Sequence, residues 1–556
     1  MLRTSRFLSI LAVTFVCNAT GVLWAQAPAP EDGIPVTDAL VKTKCGACHE
    51  ADDRGNLKII SWTRTTPEGW QDALKRMILS ENLMVTPPEA RAIVKYLSDR
   101  HGLAPAEMQP VTHDVERRMH EETGIPSEAI SRSCARCHTF AKPLSWRRSP
   151  EEWKRYLAAH AKRYNSPPVE EAVTYMTKAA PLHSPEWNQW SAQTPTAGIN
   201  GRWLATAYLA GYGKFFGEVQ LLPIMDGGAP VPDEFNTRIV LRSMRDGSLI
   251  ARTGRIGVYA GYAWRGRSKG VVQPAEPGDP SNEAREVMWF SPNQTTAEGR
   301  WFWGQYQEFG FDVHLQRYSN TATLLAVDHP SLRAGSKTTR LRFVGENLPA
   351  KVAAADITLG AGITVTKVIS SNAKEVIAEV DVAANAPSGR RTATVGAASL
   401  ANALVVYDRV DYLKITPESS LAAFGGEGKA RGYQQYEVIG YHRGADGRRH
   451  TADDLELGPV EASWSIEIFY EPEGHRTDHV GEISENGFFR PNEKSANNNF
   501  DLWVIAKAKN ETGADGEPLV GKGYLVLTVP SYVFNGRRYV RDLERWVDDG
   551  PAGPAR

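Results

Sequence analysis

The sequence predicts a multidomain protein, with an all-α N-terminal third followed by three antiparallel β domains. Apolar residues recur at helical spacing up to about residue 192, then alternate with polar ones from about residue 195. From there on, short alternating runs are punctuated by turn signals such as Asp246-Gly247. A length of 556 residues is enough for several domains of ordinary size. The formal net charge of −1 argues against nucleic acid or an anionic membrane surface as the main partner.

Residues 1–27 read as an export signal. Arg3 and Arg6 supply the positive start, an apolar run extends from Phe7 to about Trp24, and Ala25-Gln26-Ala27 has the small-x-small form of a cleavage site. Pro28 leaves the exact cut open. Asn18, Thr20 and Gly21 interrupt the run, which favours cleavage over a retained anchor. No other segment is long and apolar enough to span a bilayer as a helix. The expected product is a soluble protein with no membrane attachment after cleavage, exported from the cytoplasm.

Cys17 lies in this leader, and the other four cysteines form two pairs, each followed at once by histidine. The motifs are Cys45-Gly46-Ala47-Cys48-His49 and Cys134-Ala135-Arg136-Cys137-His138. On a helical turn, residues i and i+3 face the same way, so two thiols can each form a thioether with one vinyl group of a single porphyrin. The adjacent histidine then lies under the iron as proximal ligand. A redox C-x-x-C or a zinc site needs no such trailing histidine. The expectation is two covalently bound haem c groups, held through Cys45, Cys48, Cys134 and Cys137, with His49 and His138 on the irons.

An internal repeat points to the opposite faces of the irons. Arg64-Thr65-Thr66-Pro67-Glu68-Gly69-Trp70 is followed by Met77, and Arg148-Ser149-Pro150-Glu151-Glu152-Trp153 by His160. In both copies Pro stands three residues before Trp, and a good iron ligand stands seven residues after it. Pro-Glu marks a helix start, and residues two turns apart share a face. This pairs His49 with Met77 and His138 with His160. Met84, Met108, His101, His113 and His120 compete for these roles, and a histidine on a helix is usually not a ligand. A thioether sulfur raises a haem potential relative to a second imidazole. The expected electron order is therefore second haem to first, which potentiometry on each haem checks. Helices over Pro87–Ser98 and Val169–Met176 complete residues 28–192 as one dihaem cytochrome c unit, its two halves meeting near residue 105.

Residues 193–325 alternate as an antiparallel barrel-like domain, with strands at 216–221, 237–244, 249–258, 287–290, 300–305 and 311–318. The Trp301-Phe302-Trp303 triplet reads as core filling rather than a stacking platform. Residues 326–408 suggest an immunoglobulin-like sandwich with strands at 339–344, 363–369, 376–382 and 391–395, and residues 409–556 suggest a C-terminal β-sandwich. In the latter, Asp446-Gly447 with Asp453-Asp454 reads as a hairpin turn before a calcium loop. The β domains show no nucleophile, triad or phosphate loop, and no catalytic residue is assigned in the chain.

Taken with the domain order, the stretch Gly440-Tyr441, Ala445-Asp446-Gly447, Thr451, Asp453-Asp454, Leu457-Gly458, Ala462-Ser463-Trp464-Ser465 and Asp501-Leu502-Trp503-Val504-Ile505-Ala506 resembles the quinohemoprotein amine dehydrogenase α subunit. The resemblance implies a periplasmic heterotrimer with a β-propeller subunit and a small subunit bearing cysteine tryptophylquinone. That quinone oxidises primary amines to aldehyde and ammonia. The dihaem chain passes the electrons to a soluble copper protein or c-type cytochrome. After haem attachment no cysteine remains here to build such a quinone, which places the amine chemistry elsewhere. Two other readings stand beside it. One is a self-sufficient, peroxidase-like dihaem enzyme with an open haem site, which carbon monoxide binding would separate. The other is a haem-bearing adhesion or scaffold protein, which co-purification would separate.

Overall fold

The computed structural model describes residues 32–118, 122, 124–135, 138–164, 170–193, 198–426, 428–469, 476–494 and 498–529. The expected leader with Cys17, and also Cys137, His120 and Val169, lie outside the described residues.

The N-terminal third is helical and built twice. Its first half holds α1 (Ala39–Cys45), α2 (Pro67–Ser80) and α3 (Pro87–Arg100). Short turns α4 (Pro105–Met108) and α5 (Thr112–Val115) lead to the second half. That half holds α6 (Glu128–Cys134), α7 (Ala141–Leu144), α8 (Pro150–Tyr164) and α9 (Glu170–Ala179), and α10 (Pro185–Gln193) closes the region. The repeated sequence shapes both copies alike. The Thr66 hydroxyl accepts the Gly69 amide at 3.1 Å and the Ser149 hydroxyl accepts the Glu152 amide at 3.3 Å, each capping a helix that opens with proline. Buried Trp70 donates its indole N–H to the carbonyl of His101, at the end of α3 (3.0 Å). Buried Trp153 does the same to Ala180, just past α9 (2.8 Å).

Two short strands within this helical region were not expected. β1 (Thr63–Thr65) and β2 (Trp146–Arg148) precede the equivalent helices of the two halves and pair with each other antiparallel. The register sets Thr63 opposite Arg148, Arg64 opposite Arg147 and Thr65 opposite Trp146. Three residues are too few for an alternating pattern to show in sequence.

Residues 201–317 form a closed eight-stranded barrel. In chain order its strands are β3 (Gly201–Leu209), β4 (Gly213–Asp226), β5 (Ala229–Ser243), β6 (Leu249–Tyr259), β7 (Ala263–Gly270), β8 (Ala284–Phe290), β9 (Thr296–Trp303) and β10 (Phe309–Arg317). β10 pairs with β3 to close it. Asp246-Gly247 makes the expected hairpin between β5 and β6, with Gly247 at φ +76°. β3 and β7 escape the sequence reading for physical reasons. β3 is buried on consecutive residues, Trp203, Leu204 and Ala205, and so lacks alternation. β7 reads Ala-Trp-Arg-Gly-Arg-Ser-Lys-Gly, too polar to stand out. At Gly217 a Cβ would lie 1.9 Å from the Val240 carbonyl, so the strand approach there requires glycine. Trp301, Phe302 and Trp303 are all buried core residues.

The helical third is seated on this barrel. Leu103, Met108, Val111 and Val115 belong to the same hydrophobic cluster as Trp203, Trp264 and Phe311. Across the joint, Tyr262 donates to the Leu103 carbonyl (3.0 Å), Trp190 to the Ala260 carbonyl (3.2 Å), and Arg265 pairs with Glu68.

Residues 323–407 form two four-stranded sheets over a shared core that includes Leu341, Phe343, Val380, Val395 and Val406. The last domain departs from the expected two-sheet sandwich. It has a four-stranded sheet and two three-stranded ones, the latter from 412–416, 437–442 and 455–459 and from 434–435, 481–483 and 488–491. Nor is pairing antiparallel throughout. Ser331–Arg333 runs parallel to residues 405–407, and Ser419–Ala423 runs parallel to residues 524–528. In the acidic loop, Asp454 accepts from Tyr412 Oη (2.6 Å) and from the amides of Gly444 and Thr451, while Asp453 accepts from the Thr451 hydroxyl (2.8 Å). These carboxylates brace the hairpin and tie it to Tyr412 of the neighbouring strand. No helix among the described residues is long and apolar enough to cross a membrane.

Candidate haem-binding sites

Each C-x-x-C-H motif begins on the last residue of a helix, Cys45 on α1 and Cys134 on α6. In the first, the amides of Cys48 and His49 both donate to the Cys45 carbonyl, at 3.2 and 2.9 Å, which winds the motif into one tight turn. His49 Nδ1 donates to the Lys58 carbonyl and His138 Nδ1 to the Thr139 carbonyl, each at 2.8 Å. A carbonyl only accepts, so the proton is on Nδ1 in both rings. Nε2 then keeps its lone pair, the form a metal takes.

The second site brings its expected pair together. His160, two turns along α8 from Trp153, has its ring centroid 6.4 Å from that of His138, with the planes at 75°. Two metal–nitrogen bonds of ~2 Å, plus ~1 Å from each nitrogen to its ring centre, give a span of about 6 Å. The pair therefore fits one iron between two imidazoles. Burial lowers the pKa of His160, and the nearby His138 adds to the effect. Both favour the neutral, ligating ring. Tyr156 and Tyr164 flank His160 at 6.0 and 4.7 Å.

At the first site, Met77 lies half-buried on α2 at the position that His160 occupies on α8. No hydrogen bond engages its sulfur among the described residues. Met84 is the competing methionine of the first half. Its carbonyl accepts Lys44 Nζ (3.3 Å), one residue before Cys45, and the residue is 82% exposed. Three of the remaining competitors, Met108, His113 and His101, lie among the described residues. Met108 is buried in the barrel-facing cluster. His113 faces Glu122 at 3.2 Å. His101 is fully buried, with its ring between Trp70 and Tyr96, and burial, helped by the Arg64 charge, drives its pKa down to about 3.

Between the halves lies a buried ionic cluster that the sequence reading missed. Arg64 makes a two-pronged pair with Glu107, both contacts at 2.8 Å. Arg147, its counterpart in the repeat and its cross-strand neighbour, reaches the same carboxylate at 3.2 Å. The Ser184 hydroxyl (2.8 Å) and Ala104 amide (2.9 Å) complete the set of donors. Burial by itself would raise the Glu107 pKa, but the Arg64 hydrogen bonds and charge, with Arg147, hold it down to about 2. The available signal was an arginine two residues before each helix cap. The acid itself lies outside the repeated segments.

The chain matches four family models. Residues 36–174 match the quinohemoprotein amine dehydrogenase A, alpha subunit, haem-binding model. Residues 196–318, 321–408 and 413–537 match the models for alpha subunit domains II, III and IV of quinohemoprotein amine dehydrogenase. No curated protein matches. Among solved structures, a redesigned β-barrel is 14% identical, covering 22% of this chain and 92% of its own, with a TM-score of 0.17. A de novo fluorescence-activating β-barrel is 18% identical, covering 22% and 96%, with a TM-score of 0.17. The N-terminal Ig1-2 module of the Drosophila receptor protein tyrosine phosphatase DLAR is 11% identical, covering 37% and 96%, with a TM-score of 0.14.

Proposed function

Since the chain belongs to the family of quinohemoprotein amine dehydrogenase alpha subunits, we propose that it is the dihaem electron-transfer subunit of such an enzyme in the periplasm. Its partners in this reading are a β-propeller subunit and a small subunit whose cysteine tryptophylquinone oxidises primary amines to aldehyde and ammonia. The electrons leave to a soluble copper protein or cytochrome. When bound, each haem supplies a one-electron couple. The observation that carries the proposal is the 6.4 Å pairing of His138 with His160 beside the second motif.

The chain's own residues divide the work. Cys45, Cys48, Cys134 and Cys137 anchor two porphyrins. The Lys58 and Thr139 carbonyls hold His49 and His138 in the Nδ1–H tautomer. His160 closes the second site against exogenous ligands. A methionine sulfur closes the first, and Met77 is favoured because its helix repeats the setting of α8. Among the described residues no cluster of three or more His, Cys, Asp or Glu could hold a further metal. In this reading the amine chemistry belongs to the small subunit and its quinone.

Purified mature chain is expected to give two haems per polypeptide by pyridine haemochrome, and a mass higher than the bare chain by two haems. A colourless product refutes the proposal, and carbon monoxide binding to the reduced wild-type protein favours the peroxidase-like alternative instead. Met77→Leu is expected to abolish the near-infrared charge-transfer band of sulfur-ligated ferric haem, while Met84→Leu retains it. The reverse result makes Met84 the ligand.

A further inference from the structure

The ladder between the two halves has two chemically distinct faces. Residues alternate across a strand, so Arg64 and Arg147 project to one face and meet Glu107 there, while Thr63, Thr65, Trp146 and Arg148 project to the other. On that second face a continuous stack of flat groups crosses from one half to the other. Trp70 of the first half contacts Trp146 of the second at 6.4 Å between centroids and 60° between planes. The Arg148 guanidinium lies 4.6 Å from the Trp146 ring centre and 4.4 Å from that of Tyr156. Tyr156 contacts His160 at 6.0 Å, and His160 faces His138. At the other end, Trp70 belongs to the hydrophobic cluster against which Cys45 of the first motif packs. Arg148 is 3% exposed and is held in place by the Thr63 hydroxyl at 2.8 Å.

We infer that the stack Trp70–Trp146–Arg148–Tyr156, ending on His160, is the conduit for electrons between the two haem sites. The inference rests on the function proposed above and adds the route. Tunnelling decays less steeply through packed, polarisable matter than through gaps. From Trp70 to His160, aromatic rings in contact, bridged by a guanidinium held by cation–π attraction, supply such matter without a break, and the hydrophobic cluster shared by Trp70 and Cys45 continues it toward the first site. With haem held at both sites, one electron would pass from the couple of one site, oxidising it, to that of the other, reducing it. No bond forms or breaks, no proton moves, and neither the rings nor the guanidinium change oxidation state. Trp146 and Tyr156 are thus positioning residues for transfer, not ligands.

The test uses full-length protein carrying both haems. After injection of one electron by pulse radiolysis, the rate of redistribution between the two haems is followed optically, alongside potentiometry of each haem. Trp146→Leu is expected to slow redistribution severalfold with both potentials and both spectra kept, and Trp146→Phe to restore most of the rate. Wild-type redistribution in Trp146→Leu with both potentials retained overturns the conduit while leaving the dihaem function standing. Should that variant fail to fold, Tyr156→Leu is measured the same way, and an unchanged rate there overturns the conduit equally. A wild-type protein without haem defeats the function and the route together.

Discussion

Replacing Glu107 with alanine is expected to destabilise the helical third by about 3–5 kcal/mol, because it strands two buried guanidinium groups. The Arg64 side chain is 0% exposed, that of Glu107 5% and that of Arg147 8%, so water cannot take over as partner. Chemical denaturation followed by circular dichroism measures the loss. The same carboxylate makes stability depend on acid. Its folded pKa, about 2, lies below the ordinary value of 4.5. The stabilisation is therefore complete above pH ~4.5 and drains away as pH falls toward 2, with a total on the order of 3 kcal/mol. Glu107→Gln is expected to be less stable at neutral pH and to lose this part of the acid dependence. A Gln variant with the wild-type acid profile would show that the cluster is energetically idle.

His160→Ala is expected to convert the second haem from six- to five-coordinate. Carbon monoxide binding to the reduced protein should rise from none to one equivalent per chain. Loss of the imidazole donor should raise the midpoint on the order of 0.1 V, a modest part of the ~0.8 V that axial ligation spans. The wild-type ferric protein offers a matching signature. With the two ring planes 75° apart, the second site should give a strongly anisotropic low-spin EPR signal with a large maximum g value, and His160→Ala should abolish it. Persistence of that signal in the variant would remove His160 from the coordination sphere.

The parts of the site readable from sequence were those whose chemistry fixes spacing. Thioether attachment ties Cys45 to Cys48 and His49, and the helix period ties Trp153 to His160. The Glu107 cluster was not readable, because its members come from four separate segments and only the fold brings them within bonding distance. The same holds for Trp70 and Trp146, which meet only through the pairing of Thr65 with Trp146. Among the β elements, alternating strands such as β5 were legible. β3 was not, since neighbours cover it on both faces, and β7 was not, since its polar residues mask it. The first site stayed ambiguous for a different reason. Met77 follows from the repeat, whereas the exposure of Met84 beside Lys44 is a property of the folded loop.

The six-residue ladder also constrains how the molecule can change. Inserting or deleting one residue ahead of either helix cap would rotate that strand's side chains by half a turn. Arg64 or Arg147 would then be thrust among the indoles, and a tryptophan or threonine turned toward Glu107. Two copies of a duplicated unit that clasp each other through matching strands cannot drift apart in length independently. Variation is expected to collect in the loops beyond the caps, while these two tripeptides keep their phase.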